Sequence, residues 1–213
     1  KYALSGTYLD HKAMVDNNDF SRAVGRLNLD QDINSFLRVG VSTQIVYSKE
    51  HRGGNFRDLV LRSPIDWPER AEAALTNKFA VGESFPTLLL DRDLFIDRRD
   101  RTRIITNIFG EVDLLKDLNY RFNFAPDLTY YERGTHTFQN STAAIDNYRT
   151  SNILYENILT YNHIFDDLHK LKATGLYSVQ KYRQLGSGVS VEDLPFEQQR
   201  YHNIGTAEKT LGR

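Results

Sequence analysis

The fold is decided by the stretch DRTRIITNIFGEVDLLKDLNYRFNFAPDLTYY, which runs from Asp100 to Tyr131. In its second half, aromatic residues alternate with amides and a guanidinium, in the order Asn119, Tyr120, Arg121, Phe122, Asn123, Phe124. Successive side chains of a β-strand point to opposite faces, so this pattern predicts a strand with one aromatic and one polar face. The first half alternates less sharply, and Phe109 breaks its pattern. The short segment 115–117 then predicts a tight turn between two antiparallel strands.

The composition of the chain narrows the classes of protein to consider. Its 213 residues carry a formal net charge of −1, which gives no basic surface for nucleic acid. There is no cysteine, so disulfides and thiolate metal sites are excluded. No apolar run reaches the roughly 18 residues that a transmembrane helix needs. Tyrosine and phenylalanine number 12 each, and with recurrent period-two segments they predict an all-β protein.

Further strand-like segments occur along the whole chain. They lie at 2–9, 22–29, 36–48, 153–162 and 170–181, and an eighth strand is expected from Tyr201 onward. Long polar connections, including 49–99, 132–151 and 183–200, alternate with short turns. This alternation predicts an antiparallel up-and-down meander of seven or eight strands, with its long loops at one end.

An apolar sheet face needs a cover, which is either a second sheet or lipid. A soluble β-sandwich that binds glycans is one interpretation, but sandwiches usually contain Greek-key connections. Short turns alternating with long loops are typical of outer-membrane barrels. The opposite face carries charges that we expect to face a water-lined lumen, in a barrel wider than a packed eight-stranded one. These residues are Arg22, Arg26, Arg38, Glu111, Arg121, Glu156 and Lys172.

Several motifs resemble strands of one family in the same order along the chain. They are YALSGTYLD (2–10), RLNLD (26–30), FLRVGV (36–41), LRSP (61–64), NIFGEVDLLKDL (107–118), RFNF (121–124) and YENILTY (155–161). The sequence thereby resembles the barrel of SusC-like (RagA-like) TonB-dependent outer-membrane transporters. This resemblance implies that residues 1–213 form part of a 22-stranded transmembrane barrel, without its plug domain and C-terminal strands. Residues 49–99 are then a long extracellular loop, and we expect both ends of the chain to continue into a longer protein.

The resemblance also implies a function. Members of the family import large nutrients, either oligosaccharides or peptides, across the outer membrane. Their partners are TonB, which contacts a segment N-terminal to the barrel, and a SusD-like surface lipoprotein. We therefore expect a transporter embedded in outer-membrane lipid, without enzyme activity, cofactor or metal. A barrel that has no plug and serves a structural role is the alternative within the same membrane.

Substrate contacts are expected on the long loops. Trp67 and Tyr131 could stack on sugar rings, and Arg62, Glu132 and Arg133 could hydrogen-bond to the substrate. The histidines are scattered without the spacing of metal ligands. The sequence therefore predicts a binding surface and not a catalytic site.

Overall fold

The computed structural model describes residues 1–14, 17–53, 95–137, 141–166, 168–195 and 197–212. Eight strands follow one another: β1 (Tyr2–Lys12), β2 (Asp19–Asp32), β3 (Leu37–Arg52), β4 (Phe95–Leu115), β5 (Leu118–Thr137), β6 (Thr142–Phe165), β7 (His169–Glu192) and β8 (Lys209–Gly212). A 3₁₀ segment, Glu197–Thr206, precedes β8; we call it the cap segment. Among the described residues, no helix has the length and apolar character needed to span a bilayer.

The strands form one sheet in the order of the sequence. Each strand pairs antiparallel with its neighbour in the chain, from β1 to β8. The predicted all-β antiparallel meander is confirmed, and no Greek-key crossing occurs among the described strands. We call the end with connections 13–18 and 53–94 the upper end, and the end with turns 33–36 and 116–117 the lower end.

The strands are longer than the sequence pattern predicts. β5 extends to Thr137 and β6 begins at Thr142, so the predicted polar loop 132–151 is wrong. β7 likewise extends to Glu192, into the predicted loop 183–200. The last strand begins at Lys209, because Tyr201 belongs to the cap segment. Residues 132–137 of β5 are polar on both faces, so backbone pairing with the neighbouring strands defines this extension. The β7 extension keeps a weak alternation, with Leu185, Val189 and Val191 on one face.

The strands also extend into both ends of the predicted long loop 49–99. β3 continues to Arg52, and β4 already begins at Phe95. Residues 54–94 lie outside the described part of the chain, including the predicted substrate contacts Arg62 and Trp67.

Large apolar side chains are exposed along one face of the sheet, which we call the apolar face. Paired positions keep it continuous across the strands, from Tyr8 through Tyr47 to Tyr130. Leu4 on β1 is 80% exposed, and Tyr177 on β7 is 67% exposed. Soluble proteins rarely expose apolar patches above a few hundred Å². This face therefore needs a cover that the described residues do not supply.

The apolar band on this face crosses the strands obliquely. The upper edge of the band lies at Tyr47 on β3 and at Val179 on β7. Direct pairing across the intervening strands aligns Tyr47 with Leu185 of β7, so the band ends lower on β7 than on β3. Strands of outer-membrane barrels tilt by about 35–45°, so a flat hydrocarbon layer would cross them in this stepped manner. On β5 the band extends from Tyr120 to Tyr130, which matches the roughly 9–11 residues of a transmembrane strand.

Above this band the cap segment packs on the apolar face. The Tyr201 ring lies so close to Gly134 that a Cβ atom there would come within 2.5 Å of it. Tyr201 also packs with Ala143, Val191 and Leu194 in a small buried core. The upper end is thus a protein-covered extension of the sheet, distinct from the exposed band below it.

Candidate functional site

The face opposite the apolar face carries most of the charge and is called the polar face. Register places all seven predicted lumen residues on it, because directly paired residues share a face. They are Arg22, Arg26, Arg38, Glu111, Arg121, Glu156 and Lys172. Their exposure to a lumen stays a prediction, but the structure brings them onto one surface.

Hydrogen bonds link the lower part of the polar face across three strands. Arg121 donates from Nε to Asn123 at 3.0 Å, and its Nη1 lies 3.7 Å from Glu111. Asn123 donates in turn to Glu156 at 3.1 Å, and Asn119 donates to Glu111 at 3.1 Å. Carboxylates and donors thus satisfy one another along this surface, which makes it polar without leaving isolated charges.

Phe109, which breaks the alternation of its strand, lies on this polar face. It pairs with Gly40, and a Cβ atom at that glycine would come within 2.2 Å of the ring. The guanidinium of Arg121 lies 4.4 Å from the ring centroid and that of Arg38 lies 5.8 Å away. Cation–π contacts of this kind favour a ring beneath a guanidinium, so Phe109 supports two of the predicted lumen arginines.

A buried ion cluster lies higher on the polar face, above the apolar band. Asp97 is 3% exposed and accepts hydrogen bonds from Arg99 at 3.1 and 2.6 Å. Arg133 donates to the same carboxylate through two bonds of 2.9 Å. Burial raises the pKa of Asp97, but the hydrogen bonds from Arg99 and Arg133 outweigh it and hold the pKa below its ordinary value. Two guanidiniums thereby share one ionised carboxylate.

Other arginines of the polar face differ in their partners. Arg103 donates to Asp127 at 2.9 and 2.6 Å. Arg22, Arg26 and Arg101 are exposed, and none of them forms an ion pair with a carboxylate of the described residues. Within the part of the chain that the structure describes, these three guanidiniums are therefore available to an anion from solution.

An aromatic row lies beside Arg101 on the polar face. Its guanidinium is 5.4 Å from the Tyr131 ring centroid, and the Tyr131 and Tyr148 rings are 5.9 Å apart. The Tyr148 ring continues over Gly186, where a Cβ atom would come within 3.0 Å. The row combines one cation with two aromatic rings. This combination is suited to binding a ligand and not to catalysing a reaction.

The predicted loop residues Tyr131, Glu132 and Arg133 lie within strand β5 and not in a loop. Tyr131 and Arg133 are on the polar face, whereas Glu132 is on the apolar face, above the band. Sequence reasoning did not assign Asp97, Arg101 or Tyr148 to a site. Asp97 and Tyr148 lie in segments that were interpreted as loops, whereas Arg101 lies in the predicted hairpin and is brought beside Tyr131 by the strand register. Within the described ranges, no three His, Cys, Asp or Glu side chains cluster as metal ligands.

The fold of this chain is similar to that of part of several solved structures. No protein-family model matches the sequence, and no curated protein matches it. The RagAB peptide importer matches in its closed-closed state with a TM-score of 0.76 at 16% identity, and in its open-open state with 0.75 at 16%. A structure of the RagAB peptide transporter matches with a TM-score of 0.77 at 17% identity.

This chain has the fold of part of a RagAB chain. The match covers 100% of the chain and 26% of each RagAB chain. The chain therefore spans about a quarter of the length of its RagAB counterparts. The resemblance expected from the strand motifs is confirmed at the level of the fold.

Proposed function

We propose that the chain is part of the barrel wall of an outer-membrane, TonB-dependent transporter of the SusC-like type, which imports large nutrients. The observation that carries this proposal is the division of one single-layered sheet into an exposed, oblique apolar band and a charged polar face. Hydrocarbon would contact the band, and water in the lumen would hydrate the opposite charges. Closure of a larger barrel would pair the open edges of β1 and β7, because backbone groups in hydrocarbon need partners.

The fold match favours peptides as the imported class. RagAB is described as a peptide importer, and the polar face here offers guanidiniums and tyrosine rings that suit carboxylates and apolar side chains of peptides. Oligosaccharides are the second candidate, because tyrosine rings also stack on sugars. A SusD-like surface lipoprotein and TonB are the proposed partners.

Within the polar face, we propose Tyr131 and Arg101 as substrate contacts. Arg133 supports this surface from its pair with Asp97. Arg62 and Trp67 are retained as proposed contacts from residue type alone. Glu132 lies on the other face and is assigned no substrate contact.

Uptake by the whole transporter tests the proposal. Cells that depend on this transporter are given a labelled oligopeptide or a labelled oligosaccharide, with and without TonB. We expect peptide uptake that disappears without TonB and without the surface lipoprotein. Uptake that is unaffected by loss of TonB would instead support a barrel without a plug. Recovery of the whole protein in the soluble fraction without detergent would reject the membrane assignment, and with it the proposal.

Site variants separate substrate binding from folding. Arg101→Gln or Tyr131→Ala should lower peptide uptake at least tenfold while the barrel stays folded. Arg183→Gln is the matched control, because it removes an exposed arginine from the opposite face of the sheet. Equal uptake by all three variants would remove the substrate role of the aromatic row.

A further inference from the structure

One row of directly paired residues crosses the polar face from β2 to β7, and we call it the upper row. Its members, each paired with the next, are Arg22, Ser48, Arg101, Tyr131, Tyr148 and Gly186. Two cations occupy the β2 half of the row, and two aromatic rings follow toward β7. Charge and aromatic surface are therefore separated along a single line across the sheet.

The side chains of the upper row lean toward β7. The Arg101 guanidinium lies 5.4 Å from the Tyr131 ring centroid, and the centroids of Tyr131 and Tyr148 are 5.9 Å apart. The Tyr148 ring lies against Gly186, where a Cβ atom would come within 3.0 Å of it. Arg101 thus leans away from Ser48, which is the only residue of the row between the two arginines.

The carboxylates near the upper row are occupied by other groups. Three of them form ion pairs with arginines outside the row, namely Glu50 with Arg52, Asp97 with both Arg99 and Arg133, and Asp127 with Arg103. A fourth, Asp146, is buried. Because Asp97 balances only one of its two guanidiniums, and Arg22 and Arg101 are exposed beside it, positive charge is in excess among the described residues of this region.

The spacing of the upper row defines the ligand that would match it. Arg22 and Arg101 are two strand spacings apart, or about 10 Å, and Tyr148 lies the same distance beyond Arg101. In a peptide with the polyproline II conformation, residues i and i+3 lie on the same side, about 9 Å apart. Residues i, i+3 and i+6 of such a peptide would therefore reach the first arginine, the second arginine and the tyrosines.

The chemistry of the row indicates which side chains these three residues should have. An arginine forms paired hydrogen bonds with a carboxylate, and a guanidinium stacked on a ring keeps its N–H edge available for them. The rings of Tyr131 and Tyr148 present a surface on which another aromatic ring can pack in an offset or edge-to-face arrangement. The order along the row is thus carboxylate, carboxylate, aromatic ring.

We propose that the upper row selects extended peptides with two acidic residues three positions apart and an aromatic residue three positions further on. Arg22 and Arg101 bind the two carboxylates, and Tyr131 and Tyr148 contact the aromatic side chain. This inference rests on the proposed import function and adds to it a preference among peptides. Peptides with amides in place of the carboxylates leave the two cations unpaired, and basic peptides are repelled by them.

Fluorescence anisotropy with labelled heptapeptides and the whole protein tests the proposal. The first probe has glutamate at its first and fourth positions, phenylalanine at its seventh, and alanine elsewhere. Its matched peptides carry glutamine or lysine in place of both glutamates, or the same residues in a permuted order. We expect Kd to be at least tenfold higher for the glutamine peptide, higher still for the lysine peptide, and several-fold higher for the permuted one. A permuted peptide that binds as tightly as the first probe would overturn the spacing.

Charge exchange in the protein tests the same contacts from the other side. Arg22→Glu or Arg101→Glu should weaken binding of the glutamate peptide at least tenfold and tighten binding of the lysine peptide several-fold, a gain that misfolding would not produce. Arg26→Glu is the matched control, because Arg26 is exposed on the same strand and face as Arg22 but is aligned with Gln44 and Ile105. Equal changes in all three variants would overturn the proposal in favour of a diffuse electrostatic attraction.

The outcomes also separate this preference from the import function. Equal binding of all four peptides, together with TonB-dependent uptake, would remove the selectivity and leave the transporter proposal intact. Absence of uptake for every peptide would reject peptide import, and this inference with it. Tighter binding of an oligosaccharide of uronic acids than of the glutamate peptide would overturn the assignment to peptides.

Discussion

The ring of Phe109 packs against Gly40 across the β3–β4 pair, in space that any other residue at position 40 would fill. The glycine and the aromatic residue are directly paired, and Arg38 and Arg121 hold the ring from above. Phe109 interrupts the alternation of β4 because its ring packs against Gly40 on the polar face.

Substitution of Gly40 by valine should destabilise the sheet. The new side chain would displace the Phe109 ring, and overpacking of this kind costs about 1–3 kcal/mol. The free energy of unfolding in urea, measured on the whole protein, gives the size of the loss. Removing the ring in G40V/F109A should recover part of it, whereas Gly175→Val, with open space around its Cα, should cost less. A G40V variant as stable as the unmodified protein would contradict this packing.

A charge on the apolar face should be much more costly than one on the polar face. Ile108 and Asn107 are adjacent in β4, and both are exposed, but they point to opposite faces. Ile108→Arg should lower the free energy of unfolding by about 2–4 kcal/mol if the band contacts hydrocarbon. Asn107→Arg is the control and should change it by less than about 0.5 kcal/mol. Equal effects at the two positions would be incompatible with a lipid-facing band.

Loss of Asp97 should destabilise the upper end strongly. Its buried carboxylate pairs with both Arg99 and Arg133, so Asp97→Asn leaves two guanidiniums without their anion. Breaking a buried pair of this kind costs about 3–5 kcal/mol. Asp127→Asn breaks the single, more exposed pair with Arg103 and should cost clearly less. Urea unfolding of the two variants compares them directly, and a larger loss in Asp127→Asn would refute the ranking.

The same cluster predicts a pH dependence. Because the arginines lower the pKa of Asp97 in the folded state, its contribution is complete above the ordinary aspartate pKa of about 4. It is lost as the pH falls through the lower, folded-state pKa. Unfolding midpoints measured below pH 4 should therefore drop more steeply for the unmodified protein than for Asp97→Asn. Parallel pH curves for the two proteins would argue against an ionised Asp97.

The cap segment should detach when the glycine beneath it is enlarged. A side chain at Gly134 would occupy the position of the Tyr201 ring. Gly134→Val should therefore expose the segment 193–208 and speed its cleavage by an added protease several-fold. Gly25→Val lies on the same face with open space and serves as the control. Unchanged cleavage in Gly134→Val would show that the contact does not hold the segment.

Local alternation of side chains was enough to locate seven of the strands and to divide each of them into two faces. The period of two is a property of each strand alone, so Tyr120, Phe122 and Phe124 identify one face without knowledge of their neighbours. Alternation also predicted that seven charged residues share one face of the sheet. The strand register places all of them there, from Arg22 on β2 to Lys172 on β7.

The structure of the upper end was determined by the pairing between strands. Residues 132–137 are polar on both faces, so only hydrogen bonds to neighbouring strands make them extend the sheet. The same pairing brings Asp97 between Arg99 and Arg133, and places Tyr201 over Gly134. Such contacts depend on the register between strands, which no single strand encodes, because shifting one strand by a residue would exchange its two faces.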